Sequence, residues 1–442
     1  MKERVLIVGS GAREHAIAAA LARSGAEVIC FGSARNPGID ALSTKYAVGK
    51  ITDGAAVAAF AKEHGAIDLG ATLAVIGPEA PLAAGVGDAL WAAGVKTVGP
   101  TKKLARIESS KGFARELLKR YGIEGNPFFR SFDSMDGVER VLREWDGRHV
   151  IKDDGLAGGK GVKVCGDHLH SLAHSVECCK ELAAMGHPFV IEEKLEGEEF
   201  SLMSFCDGRT LEHMPAVQDH KRADNGDRGP NTGGMGTYTD ANHSLPFLRE
   251  SDVAEARAIN ERVAAALGEE CGEPYQGILY GGFMATQDGV KLIEYNARFG
   301  DPECLNLLTL LETDFATVCR AIVEQKLSEV RVEFAAKASV CKYVVPQGYP
   351  DAPRVGDEVL LPKEILAGVT LYLGAVDVKD GELVATGSRT VGVVGVAETI
   401  AEAEWMCEGV AREIPGRFFH RADIGTAELI AKRVEHMKTV RS

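Results

Sequence analysis

Four short runs near the N-terminus, Arg4–Val8, Glu27–Phe31, Thr72–Ile76 and Lys96–Val98, are almost continuously apolar rather than alternating. A strand of that kind has no face to turn to water, so both of its faces must be covered. Between the runs lie helical stretches, Ala12–Ser24, Gly54–His64 and Ala80–Ala93. Strands separated by helices build a parallel sheet wound on both sides. Residues 1–103, closed by Gly99-Pro100-Thr101, are therefore expected to form a doubly wound α/β domain.

The chain has 442 residues, enough for about three domains at ~150 residues each. A helix capped by Ser109 or Ser110 follows the first unit, with Phe113, Leu117, Leu118 and Tyr121 on one face. Residues 127–195 read as short strands around glycine-rich turns, including His149–Lys152 and Phe189–Glu193. Residues 196–330 mix strands (Phe200–Cys206, Val290–Tyr295) with an amphipathic helix near 252–267. From about 333 the strands Ala338–Val345, Val369–Val376, Glu382–Thr386 and Thr390–Val396, with a helix over 398–413, read as an α+β unit.

The net charge of −14 disfavours a partner coated in phosphate, so no nucleic acid is expected. No apolar run approaches the ~20 residues of a membrane helix, and the first apolar run is too short for a secretion signal. The ten cysteines form no CxxC pair and sit mostly in apolar strings. Reduced core thiols in a cytoplasmic protein are expected, with neither a zinc site nor a disulfide framework.

The first strand runs into Gly9-Ser10-Gly11-Ala12-Arg13-Glu14 and then a helix. Such a turn fits either an anion cradle at the helix N-terminus or a tight structural turn. A dinucleotide site is disfavoured, because the third glycine position is Glu14 and the second strand ends at Phe31-Gly32-Ser33 without a ribose-binding acid. Gly77-Pro78-Glu79 ends the Thr72–Ile76 strand, and both turns are expected to face one crevice at the strands' carboxyl ends.

Further along, Lys152 ends a strand, and a loop with four glycines and Lys160 follows (155–161). A mobile glycine loop can cover a triphosphate and a lysine supplies a point charge. Lys160 is followed by Gly161, so this is not a Walker A loop, and a hairpin with a solvated lysine is the alternative. The acidic run Glu192-Glu193-Lys194-Leu195-Glu196 begins in a strand, where backbone can meet an adenine edge and a carboxylate can hold ribose hydroxyls. Glu294 and Asn296 share one face of a strand, roughly 7 Å apart. That spacing of oxygens suits Mg²⁺, which takes few protein ligands, and Arg298 continues the face to meet a phosphoryl group or carboxylate. Finally, Gln218-Asp219-His220-Lys221-Arg222 precedes a second glycine loop, Gly229–Gly236: its acid can bind an ammonium and its bases a phosphate or carboxylate.

At these residues the chain resembles the glycinamide ribonucleotide synthetases, ATP-grasp ligases of purine biosynthesis. The shared strings are GSGAREHA (9–16), GPEAPL (77–82), SSKGFA (109–114), IKDDGLAGGKGV (151–162), IEEKLEGEE (191–199), QDHKR (218–222), GPNTGGMG (229–236) and NARFGDPE (296–303), with the tail Phe419–Gly425. The resemblance implies an N-terminal α/β domain (1–103) for phosphoribosylamine. It also implies an ATP-grasp domain (104–332) with a small lid (127–195), and a C-terminal domain (333–442). It implies ATP as co-substrate, Mg²⁺ or Mn²⁺ as the metal, glycine and 5-phosphoribosylamine as substrates, and a monomeric, cytoplasmic ligase.

Carried over residue by residue, the resemblance implies catalytic roles for Arg298, Lys152 and Asp219. It places ATP against Lys111, Lys152, Gly158, Gly159, Lys160, Gly161, Glu192, Glu193, Leu195 and Glu199, and the metal on Glu294 and Asn296. Substrate contacts are expected from Gly9, Ser10, Gly11, Arg13, Glu14, Pro78, Glu79, Asp219, Lys221, Gly233, Gly234, Met235, Arg298 and Asp301. Departures from the family pattern are Ala12, Asp153 (a charge expected to blunt Lys152), Gly282 without a side-chain oxygen, and Cys304-Leu305. A related ATP-grasp carboxylase or formate-dependent ligase and a catalytically silent nucleotide sensor are the competing readings. QDHKR with GPNTGGMG argues against the first, and retention of Lys152, Glu294, Asn296 and Arg298 against the second.

Overall fold

A computed structural model describes residues 3–65, 72–156 and 161–442. The N-terminal sheet is fully parallel, in the order Ser43–Val48, Glu27–Gly32, Arg4–Val8, Thr72–Ile76, Lys96–Val98. Val5 to Val8 are completely buried, as a strand covered on both faces must be. The chain builds outward from Arg4–Val8 in one direction and then the other. The loops leaving Val8 and Ile76 therefore diverge and open a crevice between them. The edge strand Ser43–Val48 carries Ser, Thr and Lys and is largely half-exposed, so it shows no apolar run in the sequence. The expected Ala80–Ala93 helix is two helices, Glu79–Ala84 and Val86–Ala92, broken where Gly85 takes φ +87°.

The next layer is a small antiparallel sheet, Phe129–Phe132, Phe189–Glu193, His149–Asp153, Val162–Val164. It packs on helices Val138–Glu144 and Leu172–Ala184 around a core of its own that includes Val138, Ile151, Phe189 and Ile191. The central sheet runs Leu211–His213, Glu198–Cys206, Gly277–Thr286, Gly289–Asn296, all antiparallel. Helix Lys111–Arg120 is capped by Ser110, whose hydroxyl accepts from the Phe113 N–H.

The last sheet runs Gln218–Asp219, Gly236–Thr239, Ala338–Pro346, Val391–Ala397, Val369–Leu373. The segment carrying Asp219 and the second glycine loop is thus hydrogen-bonded into the C-terminal sheet. The expected strand Val369–Val376 is interrupted, resuming as Val376–Lys379. A final helix, Ala427–Val440, buries only Leu429 and Met437, too weak an apolar stripe to stand out in the sequence. None of the helices among the described residues is long and apolar enough to cross a membrane.

Candidate active site

The elements converge on a cavity of about 330 Å³. The N-terminal crevice contributes Arg13, Pro78 and Glu79; the capped helix and the turn before it give Lys111, Arg115 and Glu108. The small sheet supplies Gly155 and Glu192, the central strand Ile293 to Asn296 and Arg298 beyond it, and the 219–233 segment Asp219, Lys221 and Gly233. Asp301 and Glu303 close one side, and Arg389 arrives from the last sheet.

Glu294 and Asn296 emerge together, as the two-residue period of their strand requires, and Arg298, just past the strand's end, lines the same cavity. Among the described residues the Glu294 carboxylate has no hydrogen-bond or ion-pair partner, while Lys152 and Lys221 lie close enough to interact with it electrostatically. An open carboxylate beside the amide oxygen of Asn296 fits a hard divalent cation that keeps water and phosphate oxygens as its other ligands. A carboxylate facing a cavity without such a partner would be poorly compensated. Gly282, opposite Glu294 in the ladder, adds no oxygen to this set.

Arg298 is pinned from both sides. Its guanidinium lies 2.8 Å from Glu108 and 3.3 Å from Glu79, and it donates to the Asn296 Oδ1 (3.2 Å) and the Phe299 carbonyl (3.1 Å). Burial pushes the Glu108 carboxyl up, with Arg298 opposing it. The guanidinium is thereby held as a fixed positive plane on the cavity wall.

A buried ion triad stands where the small sheet meets the central strand. Arg115 donates to both Glu192 oxygens, Nε to Oε1 at 2.7 Å and Nη2 to Oε2 at 2.8 Å. The Lys152 ammonium sits 2.8 Å from Glu192 Oε2 and donates to the Ile293 carbonyl at 2.7 Å. Burial alone would raise the Glu192 carboxyl, but the charges of Arg115 and Lys152 outweigh it and hold it at about 2. Lys152 is therefore directly behind the cavity wall rather than on it. Asp153, whose charge is expected to blunt Lys152, is turned the other way by alternation along the strand, to His187 at 3.3 Å. Lys111 lines the cavity and donates to the Gly155 carbonyl at 2.8 Å.

On the far side, burial and the neighbouring Glu303 push the Asp219 carboxyl well above its usual range. Lys221 pairs with Glu199 at 2.8 Å in an adjoining recess that Glu294 also borders. Gly234, at φ +111°, lets the backbone close on Asp219: a Cβ there would lie 2.6 Å from its Oδ1. Asp301 is held by Tyr343 and by Arg389 (3.0 Å).

Several expected contacts are placed elsewhere. Met235 is fully buried, with its N–H donated to the His220 carbonyl and its carbonyl accepting from Tyr343, and it does not line the cavity. The N–H of Gly9 goes to the Phe31 carbonyl and that of Gly11 to Glu14 Oε2. Glu14 is buried, ion-paired to Arg13 at 2.7 Å, and fits under the turn only because residue 77 is glycine: a Cβ there would be 2.0 Å from its Oε1. These three residues shape the turn, while Ser10 bonds Ser33 at 3.0 Å. Glu193 accepts from the Phe128 N–H, and neither it nor Leu195 lines the cavity. The Gly161 carbonyl accepts from Asp153; Gly158, Gly159 and Lys160 lie outside the described residues. Glu108, Arg115 and Arg389 line the cavity but carry no local sequence signal, whereas Glu303, also in the lining, ends the NARFGDPE string.

Comparison with known proteins meets this geometry from another direction. Family models described as phosphoribosylglycinamide synthetase N domain, ATP-grasp (A) domain and C domain match residues 3–108, 109–304 and 339–427. A Methanosarcina acetivorans protein named phosphoribosylamine–glycine ligase is 46% identical over 443 residues, spanning 100% of this chain and 98% of its own. A Methanocaldococcus jannaschii protein of the same name is 46% identical over 448 residues, covering 99% and 100%. The crystal structure of phosphoribosylamine–glycine ligase from Thermotoga maritima superposes with a TM-score of 0.80 at 30% identity, covering 95% of this chain and 99% of that one. A Campylobacter jejuni biotin carboxylase–beta-gamma-ATP complex superposes with a TM-score of 0.72 at 13% identity over 99% of each chain, a likeness of fold alone.

Proposed function

The chain belongs to the phosphoribosylglycinamide synthetase family, and from that premise we propose how its cleft joins glycine to phosphoribosylamine. The protein is an ATP-dependent carboxylate–amine ligase of purine biosynthesis, using ATP with Mg²⁺ or Mn²⁺. In the proposed sequence a glycine carboxylate oxygen attacks the γ-phosphorus of ATP, giving glycyl phosphate and ADP. The phosphoribosylamine nitrogen then attacks the acyl carbon, the C–O bond to phosphate breaks, and the nitrogen loses a proton.

The first step brings two anions together, so the protein's task is alignment and positive charge. Arg298 is the group that orients the glycine carboxylate, because Glu79 and Glu108 fix its plane. Lys111 and Lys152 add positive charge on the nucleotide side. Asp219 is placed for the glycine ammonium, and Lys221 for an anionic group of either substrate. Glu294 and Asn296 would hold the metal ion, which would supply further positive charge to phosphate oxygens. Arg13, Pro78 and Glu79 carry the crevice of the first domain into the same cavity, where phosphoribosylamine would enter.

One observation carries this reading: a carboxylate without a partner among the described residues and a doubly clamped guanidinium line one cavity, at and just past the end of one strand. Working divisions at 1–103, 104–332 (lid 127–195) and 333–442 follow the separate sheets, with the 218–239 segment crossing into the last. A single chain is proposed as the working unit, since one chain builds the whole cavity. A reducing, cytoplasmic setting agrees with ten unpaired cysteines. Positional isotope labelling tests the intermediate. Oxygen-18 in the glycine carboxylate is expected to appear in released phosphate, and label confined to the amide product and unreacted glycine would refute an acyl phosphate.

A further inference from the structure

The triad behind the nucleotide wall contains one residue that the family motifs quoted above do not include. Arg115 lies on helix Lys111–Arg120, is 2% exposed, and takes both oxygens of Glu192. Its Nη2 also donates to the Ile293 carbonyl at 2.7 Å, the same oxygen that accepts from Lys152. A helix of the large subdomain, two strands of the small sheet and the strand carrying Glu294 are thereby joined at one point.

Charge decides what this does. Lys152 with Glu192 alone would be a neutral pair, and a neutral pair attracts phosphate poorly. The bidentate arginine is the stronger partner for the carboxylate, because its fork matches both oxygens in plane. With Arg115 present the cluster carries one net positive charge, and Lys152 is its ammonium member, shared between Glu192 and the Ile293 carbonyl.

We propose that Arg115 is a positioning residue for the nucleotide: by sharing the Glu192 carboxylate with Lys152 it leaves the cluster one net positive charge, which Lys152 offers to the ATP phosphates. This rests on the reading of Lys152 as a nucleotide-binding group. Arg115 acts through Lys152, so its removal should matter only while Lys152 is present.

The test is a set of variants read by KM for ATP and KM for glycine, with folding checked by thermal melting. Arg115→Met is expected to raise KM for ATP roughly 10–100-fold, the usual cost of losing a group that orients a contact residue. KM for glycine should stay within about twofold. In a Lys152→Met background the same change should add less than about threefold. The variant Arg115→Lys keeps the positive charge and leaves no orphaned carboxylate. It is expected to recover most of the ATP affinity lost in Arg115→Met, and it serves as the folded comparison should Arg115→Met melt early. Multiplying losses in the cycle, or an Arg115→Lys variant as impaired as Arg115→Met, would overturn the proposal. If Lys152→Met alone leaves KM for ATP unchanged, the nucleotide reading of Lys152 has failed instead, and the two failures are told apart.

Discussion

Replacing Glu294 by alanine is expected to lower kcat by about 10²–10³ while the melting temperature moves by no more than a few degrees. The two halves of that result have separate causes. The carboxylate makes no hydrogen bond or ion pair among the described residues, so deleting it orphans no partner. Its neighbours keep the strand in place, since Leu292 and Tyr295 are buried and the ladder to Gly277–Thr286 is made by backbone. What is lost is the anionic oxygen offered to a divalent cation, and with it the charge that offsets the phosphates. Steady-state turnover at saturating ATP and glycine, together with a thermal melt, measures both. Near-normal turnover in a folded variant would remove Glu294 from the metal site.

Arg298→Met is expected to behave differently, losing at least 10³ in kcat and stability as well. The guanidinium neutralises Glu108 and Glu79, whose side chains are 6% and 33% exposed. Its loss leaves a buried carboxylate unpaired, which typically costs about 3–5 kcal/mol. Burial already pushes the Glu108 carboxyl up against the opposing charge of Arg298, so loss of the arginine is expected to push it further in the same direction. Arg298→Lys should restore part of the stability and little of the turnover, because one ammonium cannot span both acids and a substrate carboxylate. The measurement pairs kcat with chemical denaturation for the three proteins. Wild-type turnover in Arg298→Lys would show that charge alone, without the fixed plane, is enough.

The contrast between these residues marks what a sequence can display. The apolar runs at Arg4–Val8 and Thr72–Ile76 announced covered strands, and the two-residue period of Glu294 and Asn296 placed two polar groups on one face, with Arg298 just past the strand's end. Both are local patterns, written within a few residues. Arg115 and Glu192 are 77 positions apart, Arg389 and Asp301 are 88, and nothing near any of them signals its partner. The family resemblance puts Glu14 among the substrate contacts; in the structure its carboxylate accepts from the Gly11 N–H and pairs with Arg13. Met235 lies inside a glycine loop, yet the loop folds back into the last sheet and buries it. The strand Ser43–Val48 and the helix Ala427–Val440 escaped for a related reason: an edge strand and a surface helix bury too little to write a pattern. Asp153, from which interference is expected, is turned away from Lys152 by strand geometry, since adjacent side chains face opposite ways.

The most direct test is a crystal structure with a non-hydrolysable ATP analogue, Mg²⁺ and glycine. The expected result has the terminal phosphate on a metal ion ligated by Glu294 and Asn296, with the glycine carboxylate on Arg298 alongside. A nucleotide bound away from this cavity, or a metal ion that leaves Glu294 unligated, would contradict the account.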